Sequence, residues 1–374
     1  MILIPAVRGT TLRKPPPMLL INNDESKQLL NMKSCMEVLE ETYKLEGLGW
    51  ATNRNKSNIS VPTDDPDLWY RFSTMEGGIR QLEVVAIRLK TDMYRWPVHF
   101  GLTREIKYCV TPGRYCGLVL LFSAKTAEPL AIINDGYLQH MRVGATAGLA
   151  AKCMARKESS TLGIIGSGGM AKTHAMAYRE VRPLERVKVY SPNREHRMNF
   201  ARELGEMLEV EAVPMDDPQS VVQGSDIVCT CTDTAEPVLF GQWLEPGMHI
   251  SIVQQNELAA DAFRRIERFV EYRSGICAQH YATPEEQRPP SLGGSSEEWH
   301  RQFYVVPPER RHVLPDVLLG KNHGRESDRE INLFNCEGTG IQFAAVGWKI
   351  YEQAKARGLG RELPLDWFLQ EIRD

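Results

Sequence analysis

Short apolar runs recur through the middle of the chain, and helical stretches separate several of them. Each run is too short for a helix, and the stretches between them carry apolar residues at helical spacing. This alternation is typical of a parallel sheet whose strands are joined by helices. The predicted strands are residues 162–165, 187–190, 210–213, 227–231, 249–253 and 268–271. The pattern predicts an α/β fold built on a doubly wound sheet.

A glycine-rich turn directly follows the first of these strands, in the segment STLGIIGSGGMAKTHAMAYREVR. Gly166 would allow the tight turn, Gly168 would let a pyrophosphate approach the backbone, and Ala171 would let helix and strand pack closely. The next helix would offer its N–H groups to the phosphates. A glycine turn alone is weak support, but within this alternation it predicts a Rossmann domain that binds a dinucleotide. The expected cofactor-binding turn comprises Gly166, Ser167, Gly168, Gly169, Met170 and Ala171.

The end of the second strand bears on the choice of cofactor. After Tyr190, where an NAD enzyme usually has an acidic residue, the chain has Ser191, Asn193 and Arg194. A hydroxyl and a guanidinium suit a 2′-phosphate better than a bare ribose. We therefore expect NADP, with NAD as the alternative. The competing interpretation is that Arg194 simply begins a solvated helix.

The amino-terminal region has a different pattern. A helical stripe begins near Asn23 and runs to Gly47, and a polar segment at residues 51–62 becomes a strand. Further predicted strands lie at residues 117–123 and 130–134, after a β-prone stretch, residues 79–92, whose strand ends at Lys90. We expect a helix over a mixed or antiparallel sheet.

Length and composition narrow the class of protein. A chain of 374 residues predicts two domains, and a net charge of -3 gives no reason to expect nucleic acid or membrane partners. The eight cysteines are scattered without a C-x-x-C pair, which favours a reduced, cytoplasmic chain without a metal site. The apolar run at the amino end is too short for a signal peptide, and no later stretch has membrane-spanning length.

Several segments together resemble the ornithine cyclodeaminase and mu-crystallin family. They are NRNKSNISVP, the strand ending in Lys90, LLFSAKTAEPLAIINDGYLQHMRVGATAGLAAKCMAR, the glycine turn, SDIVCTCTDTAEPVL, and the closing NLFNCEGTGIQ with GWKIYEQAKARGLG. The most specific is HMRVGATAGLAA, directly before the first nucleotide-domain strand. The resemblance runs from about Asp24 to the end.

The resemblance implies a domain plan and a chemistry. It implies a discontinuous α+β substrate-binding and dimerisation domain, residues 1–135 and 320–374, around a Rossmann dinucleotide-binding domain, residues 136–319. It also implies NAD or NADP, small amino or cyclic imino acid substrates, and a homodimer. Thr230 and Thr232, in the segment SDIVCTCTDTAEPVL, are expected at the cofactor site.

The resemblance also assigns roles to three basic residues. Lys90 matches the family lysine beside the nicotinamide, Arg142 matches the arginine that holds the substrate carboxylate, and Lys56 matches a second carboxylate-binding arginine. Lysine keeps that charge but loses the planar fork. Without the resemblance, Arg142 would be interpreted as a surface residue at a helix start, and Lys90 as a solvated strand end.

Two departures from the family put ornithine cyclodeamination in doubt. Cyclodeaminases have an aspartate shortly after the fifth nucleotide-domain strand, whereas this chain has Gln254 nearby, and an amide cannot take protons. Glu257 is either a substitute or a structural residue. Phe343 stands where the family usually has an acid.

Two stretches, residues 93–113 and 278–308, are longer than the family needs. The first, with Tyr94, Trp96 and His99, is interpreted as an active-site lid or widened pocket, or alternatively as a dimer contact or surface excursion. The second is a predicted loop marked by Pro289, Pro290, Gly293, Gly294, Ser295 and Ser296. Asp233, after the fourth strand, is interpreted as a ligand contact or as a loop cap.

The sequence thus predicts an NAD(P)-dependent oxidoreductase acting on the C–N bond of a small amino or imino acid. One alternative is an ornithine cyclodeaminase-type ammonia lyase that recycles bound NAD. Another is an NADPH-dependent small-molecule binding protein, by analogy with the crystallin relatives.

Overall fold

Strands dominate the first third of the chain. The computed structural model describes residues 16–272, 277–288 and 305–372. Two helices, α1 (Asn23–Leu29) and α2 (Met32–Gly47), replace the single predicted helix, because the side chain of Asn31 caps a new helix start. The strands in this part are β1 (Met18–Ile21), β2 (Ala51–Asn53), β3 (Ser57–Pro62), β4 (Trp69–Ile79), β5 (Val84–Arg95), β6 (Val98–His99), β7 (Leu102–Thr103), β8 (Ile106–Tyr108), β9 (Cys116–Ser123) and β10 (Pro129–Asn134).

Helices and strands alternate in the rest of the described chain. The helices are α3 (Asp135–Met154), α4 (Gly169–Val181), α5 (Arg194–Leu208), α6 (Pro218–Val222), α7 (Ala260–Phe263), α8 (Leu314–Leu318) and α9 (Gly340–Arg357). The strands are β11 (Thr161–Ile165), β12 (Arg186–Tyr190), β13 (Glu211–Pro214), β14 (Ile227–Thr230), β15 (His249–Ile252), β16 (Arg268–Glu271), β17 (Ala278–Tyr281), β18 (Arg311–Val313), β19 (Asn332–Asn335) and β20 (Arg361–Leu363).

Within the described residues, eight parallel strands form the nucleotide-domain sheet, in the order β13-β12-β11-β14-β15-β19-β16-β18. The predicted α/β fold with a parallel sheet is confirmed. One placement was not predicted: β19 comes from the closing segment of the chain and inserts between β15 and β16. The order reverses at β11, and the crevice at such a reversal is where these sheets bind ligands.

A second, mixed sheet contains ten strands in the part of the chain that the structure describes, with the main order β17-β3-β4-β5-β9-β10-β1-β20. Strand β2 also pairs with β4, and β8 pairs with β5. Long central β4 was not predicted. The prediction that a strand ends at Lys90 is wrong, because β5 continues to Arg95 and pairs with β4 and β8 over that extension. Lys90 therefore lies inside a sheet and not at a strand end.

The two faces of this sheet differ in burial. On one face, Val84, Ala86, Val119 and Leu121 are fully buried, and α9 packs on β4 and β5. The other face is half-exposed, and on it Val85 is 42% exposed. Strand alternation assigns every second residue of β5 to the helix-covered face, which includes Lys90.

Some predictions lie outside the described residues. They are the amino-terminal segment up to Pro15 and the loop marked by Pro289, Pro290, Gly293, Gly294, Ser295 and Ser296. None of the helices in the described ranges is long and apolar enough to cross a membrane. The division into two domains at residues 135–136 and 319–320 stays a prediction; α3 begins at Asp135, at the first of these boundaries.

Candidate active site

The glycine turn connects β11 to α4 at the order reversal of the parallel sheet. Gly166 has φ +124°, and a Cβ there would lie 2.3 Å from the carbonyl oxygen of Cys231, so a side chain would not fit. Gly168 differs, because a Cβ built on it meets no atom within 4 Å. The turn therefore needs glycine at position 166 for its own conformation, whereas at position 168 the space beside the backbone is open.

The start of α4 fits a pyrophosphate. Gly168 is its N-cap and offers no side-chain hydrogen bond, so no side chain caps the N–H groups there. Gly169, Met170 and buried Ala171 form the first turn, and Ser167 precedes them. Uncapped N–H groups and the positive end of the helix dipole favour a phosphate at this position.

The predicted 2′-phosphate residues occupy three different environments. The side chain of Ser191 is buried, and Asn193 Oδ1 accepts a hydrogen bond of 3.0 Å from the backbone of His196 and so caps α5. Arg194 is exposed, and no partner for its side chain is found in the described chain. The nearby Arg197 forms an ion pair with Asp216, with 2.5 Å between Nη2 and Oδ1. Arg194 is thus an exposed cation, without a side-chain partner in the described ranges, close to the end of β12.

Thr230 and Thr232 bind Glu257 rather than pointing their hydroxyls into open space. Their Oγ1 atoms donate to the Glu257 carboxylate at 2.8 and 2.7 Å, and the backbone N–H of Gln254 donates to it at 2.8 Å. Burial raises the pKa of Glu257, which these donors counteract. Glu257 therefore joins the ends of β14 and β15, a structural role. Gln254 Nε2 donates to the carbonyl of Thr232 at 2.6 Å. Because Gln254 is an amide and the Glu257 carboxylate is already hydrogen-bonded, neither residue supplies a free carboxylate in place of the family's aspartate.

Lys90 lies on the helix-covered face of β5 beside an acid of the same strand. Its Nζ is 2.6 Å from Asp92 Oδ2, and its side chain is only 20% exposed. Burial lowers the pKa of Lys90 to about 7, with help from the positive charges of Lys107 and Arg88, while Asp92 acts in the opposite direction. An ammonium in this state can give up a proton near neutral pH.

Arg142 is in the middle of α3 and is 4% exposed, which differs from the surface helix start that its sequence alone would suggest. Its guanidinium donates to the neutral amides of Gln139 and Gln342, at 2.9 Å each. In the described part of the chain no carboxylate pairs with it. Arg88, by contrast, is paired with Asp135 at 2.7 Å. Arg142 therefore retains a buried charge available to a substrate anion.

Phe343 lies between these two arginines. Its ring centroid is 5.1 Å from the Arg142 guanidinium carbon and 5.3 Å from that of Arg88. The ring is fully buried. An aromatic face stabilises cations without neutralising them, so Phe343 leaves the positive charge of Arg142 uncompensated.

Lys56 is half-buried just before β3, and within the described ranges its ammonium has no hydrogen-bond or ion-pair partner. Burial lowers its pKa, and the nearby positive charges of Lys107, Arg71 and Arg88 act in the same direction. The structure therefore brings Lys56 to the same charged region as Lys90.

Residues 93–113 connect the mixed sheet to the loop that follows β14 of the parallel sheet. The N–H of Glu105 donates to the carbonyl of Asp233 at 2.8 Å, and the N–H of Thr103 donates to Glu236 Oε1 at 2.7 Å. Arg104 Nε donates to Asp233 Oδ1 at 2.7 Å. Asp233 thus binds this strap, residues 103–105, at the carboxyl end of β14.

The aromatic residues that the sequence singled out in this stretch are not equivalent. Tyr94 is fully buried and Trp96 packs edge-on against it, at 5.0 Å between ring centroids. His99 is exposed in β6. Tyr94 therefore contributes to the charged face, whereas His99 lies on the surface.

Sequence reasoning missed several residues of this face. Asp92 could have been predicted from the sequence, because Arg88, Lys90 and Asp92 occupy every second position of one strand and so lie on one face of the sheet. Arg71 and Lys107 could not have been predicted in this way, because they reach the site only through the pairing of β4 and β8 with β5.

The chain is similar in sequence and in fold to known proteins. A family model described as the ornithine cyclodeaminase/mu-crystallin family matches residues 107–358. The Delta(1)-pyrroline-2-carboxylate reductase of Bacillus cereus is 30% identical over 352 residues, which cover 92% of this chain and 99% of the relative.

Two solved structures share the fold over nearly the whole chain. The Delta(1)-pyrroline-2-carboxylate reductase of Thermococcus litoralis, in complex with NADH and L-proline, has a TM-score of 0.75 and 25% identity, covering 92% of this chain and 100% of that one. An archaeal alanine dehydrogenase dimer with bound NAD has a TM-score of 0.74 and 25% identity, covering 92% and 98%.

Replacement of Gly168 by alanine separates dinucleotide binding from folding. The added methyl meets no protein atom within 4 Å, so the melting temperature should stay unchanged. The same methyl enters the space beside the start of α4, and an overpacking penalty of about 1–3 kcal/mol corresponds to a dissociation constant at least about fivefold higher. Fluorescence titration with NADPH and NADH measures it. An unaltered dissociation constant for both would exclude this position for the pyrophosphate.

Proposed function

The chain belongs to the ornithine cyclodeaminase/mu-crystallin family, and from that membership we propose that it is an NAD(P)-dependent oxidoreductase acting on the C–N bond of a small amino or imino acid. Relatives that match it along nearly their whole length carry the names pyrroline-2-carboxylate reductase and alanine dehydrogenase. In the reductive direction it would convert an α-imino acid to the amino acid.

The observation that carries this proposal is the environment of Lys90. A half-buried ammonium whose pKa is lowered to about 7 exchanges protons readily at neutral pH, unlike an ordinary surface lysine. Its neighbour Asp92, at 2.6 Å, fixes the position of the amine. These features suit a group that protonates the nitrogen of a C=N bond during reduction and removes the proton during oxidation.

Arg142 would hold the substrate carboxylate, assisted by Lys56. The amides of Gln139 and Gln342 fix the guanidinium without cancelling its charge. A planar guanidinium that is held in place can bind a carboxylate through two hydrogen bonds, which also orients the neighbouring C=N carbon. Lys56 adds positive charge, but its ammonium cannot bind a carboxylate through two parallel hydrogen bonds as a guanidinium does.

The overall reaction consumes one hydride and one proton per imine reduced. The glycine turn and the start of α4 would hold the dinucleotide, which would supply the hydride chemistry. Lys90 donates the proton that the nitrogen requires, and Arg142 keeps the substrate oriented throughout. The buried setting of both residues strengthens their interaction with the substrate relative to water.

The cofactor preference is part of the proposal. We favour NADP because Arg194 is exposed and without a partner in the described ranges, close to the end of β12. Ser191 contributes little to this choice since its side chain is buried. NAD stays the alternative.

A homodimer is proposed to form through the half-exposed face of the mixed sheet. Val85, Ile59 and Leu20 point to that face and are 42%, 45% and 39% exposed. They lie on three different strands, β5, β3 and β1, so the apolar surface extends across the sheet. Surfaces of this kind are typical of protein interfaces.

Loss of NADPH or NADH absorbance in the presence of imines tests the function. Imines formed from pyruvate or oxaloacetate with ammonia or methylamine, together with cyclic imines, make up the panel. Replacement of Lys90 by alanine should lower turnover about 10²- to 10⁴-fold and leave cofactor binding intact, because the proton donor is lost. Replacement of exposed Lys125 by alanine is the matched control. Ammonia released from a diamino acid without net cofactor change would favour the cyclodeaminase instead.

The pH dependence follows from Lys90. Its pKa is lowered to about 7, so the proton-donating form predominates below that pH and is lost above it. We expect kcat/KM for reduction to fall as the pH rises through about 7, and kcat/KM for oxidation to rise. Replacement of Asp92 by asparagine removes a charge that raises this pKa, so both transitions should move to lower pH. Profiles that are the same in the wild type and the Asp92→Asn variant would contradict the assignment.

A further inference from the structure

The charged face extends beyond the residues that the proposed function uses. Arg71 is paired opposite Asp92 in the β4–β5 ladder, and Lys107 is paired opposite Tyr94 in the β5–β8 ladder. Directly paired residues of neighbouring strands lie on the same face of a sheet. Arg71 and Lys107 therefore lie on the face that carries Lys90, further along β5 in the direction away from Arg88.

Arg71 is held in place but incompletely paired. Its guanidinium carbon is 3.9 Å from the centroid of the Tyr94 ring, and its side chain is 18% exposed. Its Nη1 is 3.6 Å from Glu105 Oε2, which is beyond hydrogen-bond length. Its Nε is buried and has no hydrogen-bond partner in the described chain. A buried guanidinium with unused donors is costly unless an anion binds it.

Lys107 and Glu105 reach this place through the extra stretch of residues 93–113. Lys107 forms an ion pair with Glu105. Burial would raise the pKa of Glu105, but Lys107 and Arg71 lower it to about 2, so Glu105 stays ionised. Lys56 is also close enough to lower that pKa.

The charges of this group do not balance. Three cations, Lys56, Arg71 and Lys107, are close enough to lower the pKa of Glu105. Asp92 also acts on Arg71, but its carboxylate is paired with Lys90 at 2.6 Å. If Lys56 assists Arg142 with the first carboxylate of the substrate, the excess positive charge at Arg71 and Lys107 has no use in binding a monocarboxylate. An anion on the substrate side chain would use it.

We propose that Arg71 and Lys107 form a second anion-binding subsite, and that the substrate is an imino acid carrying a carboxylate on its side chain. This inference rests on the proposed function. Lys90 lies between the two subsites, with Arg88 and Arg142 on one side and Lys107 on the other. A dicarboxylate bound at both ends would hold its C=N bond beside Lys90.

The strap supports this assignment through its placement. Its three hydrogen bonds to Asp233 and Glu236 fix residues 103–105, directly before Lys107, against the carboxyl end of β14. The subsite is therefore attached to both sheets, so its position relative to the glycine turn is set by the fold.

Substrate selectivity is the test. With saturating ammonia and NADPH, kcat/KM is compared for pyruvate, oxaloacetate and 2-oxoglutarate. The wild type should prefer at least one dicarboxylate over pyruvate by about tenfold or more, as expected for a charge-assisted contact. The variants Lys107→Met and Arg71→Gln should each lower that ratio about tenfold. Lys125→Met, which changes an exposed lysine elsewhere, should leave the ratio unchanged.

Two outcomes would overturn the subsite. One is a wild type that prefers pyruvate. The other is a Lys107→Met variant that loses activity equally on all three substrates, which would mean that Lys107 only adjusts the charge of Lys90.

Binding measurements keep the subsite and the proposed function separable. Calorimetric titration of the NADPH complex with oxaloacetate and with pyruvate does not depend on turnover. If no imine is reduced, the proposed function fails, yet selective oxaloacetate binding that is lost in Lys107→Met would still support the subsite. Equal binding of oxaloacetate to the wild type and to both variants would exclude it.

Discussion

The burial of charged side chains on one face of the mixed sheet is the constraint on which the active-site region depends. Strand alternation places Arg88, Lys90 and Asp92 on that face, and pairing adds Arg71 and Lys107. Charges taken out of water are stable only when they are paired or when they serve a ligand. Arg88 has Asp135, and Lys90 has Asp92, but Arg142 is bound by neutral amides. This imbalance is the reason why we propose an anionic substrate at this face.

The rest of the fold connects this face to the carboxyl ends of the strands of the parallel sheet. Glu257 joins the ends of β14 and β15 through the two threonine hydroxyls, which fixes the edge of the parallel sheet. The strap at residues 103–105 then attaches the mixed sheet to the loop after β14. Lys90, the proposed proton donor, and the glycine turn, the proposed dinucleotide site, lie on different sheets. The proposed reaction therefore needs a fixed connection between the sheets for precise positioning.

The parts of this arrangement that depend on local sequence could be predicted. The glycine turn and the alternation of strands and helices involve residues close in the chain, and both were found at their predicted places. The position of β19 depends on pairing across a long sequence separation, and the sequence carries no local mark of it. Lys90 was predicted at a strand end because the apolar pattern stops there, yet β5 continues because β4 and β8 pair with its polar extension. Lys107 was missed for the same reason, because it reaches the site only through the pairing of β8 with β5.

Transfer of deuterium from the cofactor to the product would show directly whether this protein delivers hydride to a C=N bond. NADPH or NADH labelled with deuterium at both C4 positions of the nicotinamide is incubated with the protein, a 2-oxo acid and ammonia, and the product is analysed by mass spectrometry. We expect an amino acid that carries deuterium at its α-carbon and an equal amount of oxidised cofactor, with both formed about 10²- to 10⁴-fold more slowly by the Lys90→Ala variant. An unlabelled amino acid, or no amino acid from any 2-oxo acid or cyclic imine, would contradict it.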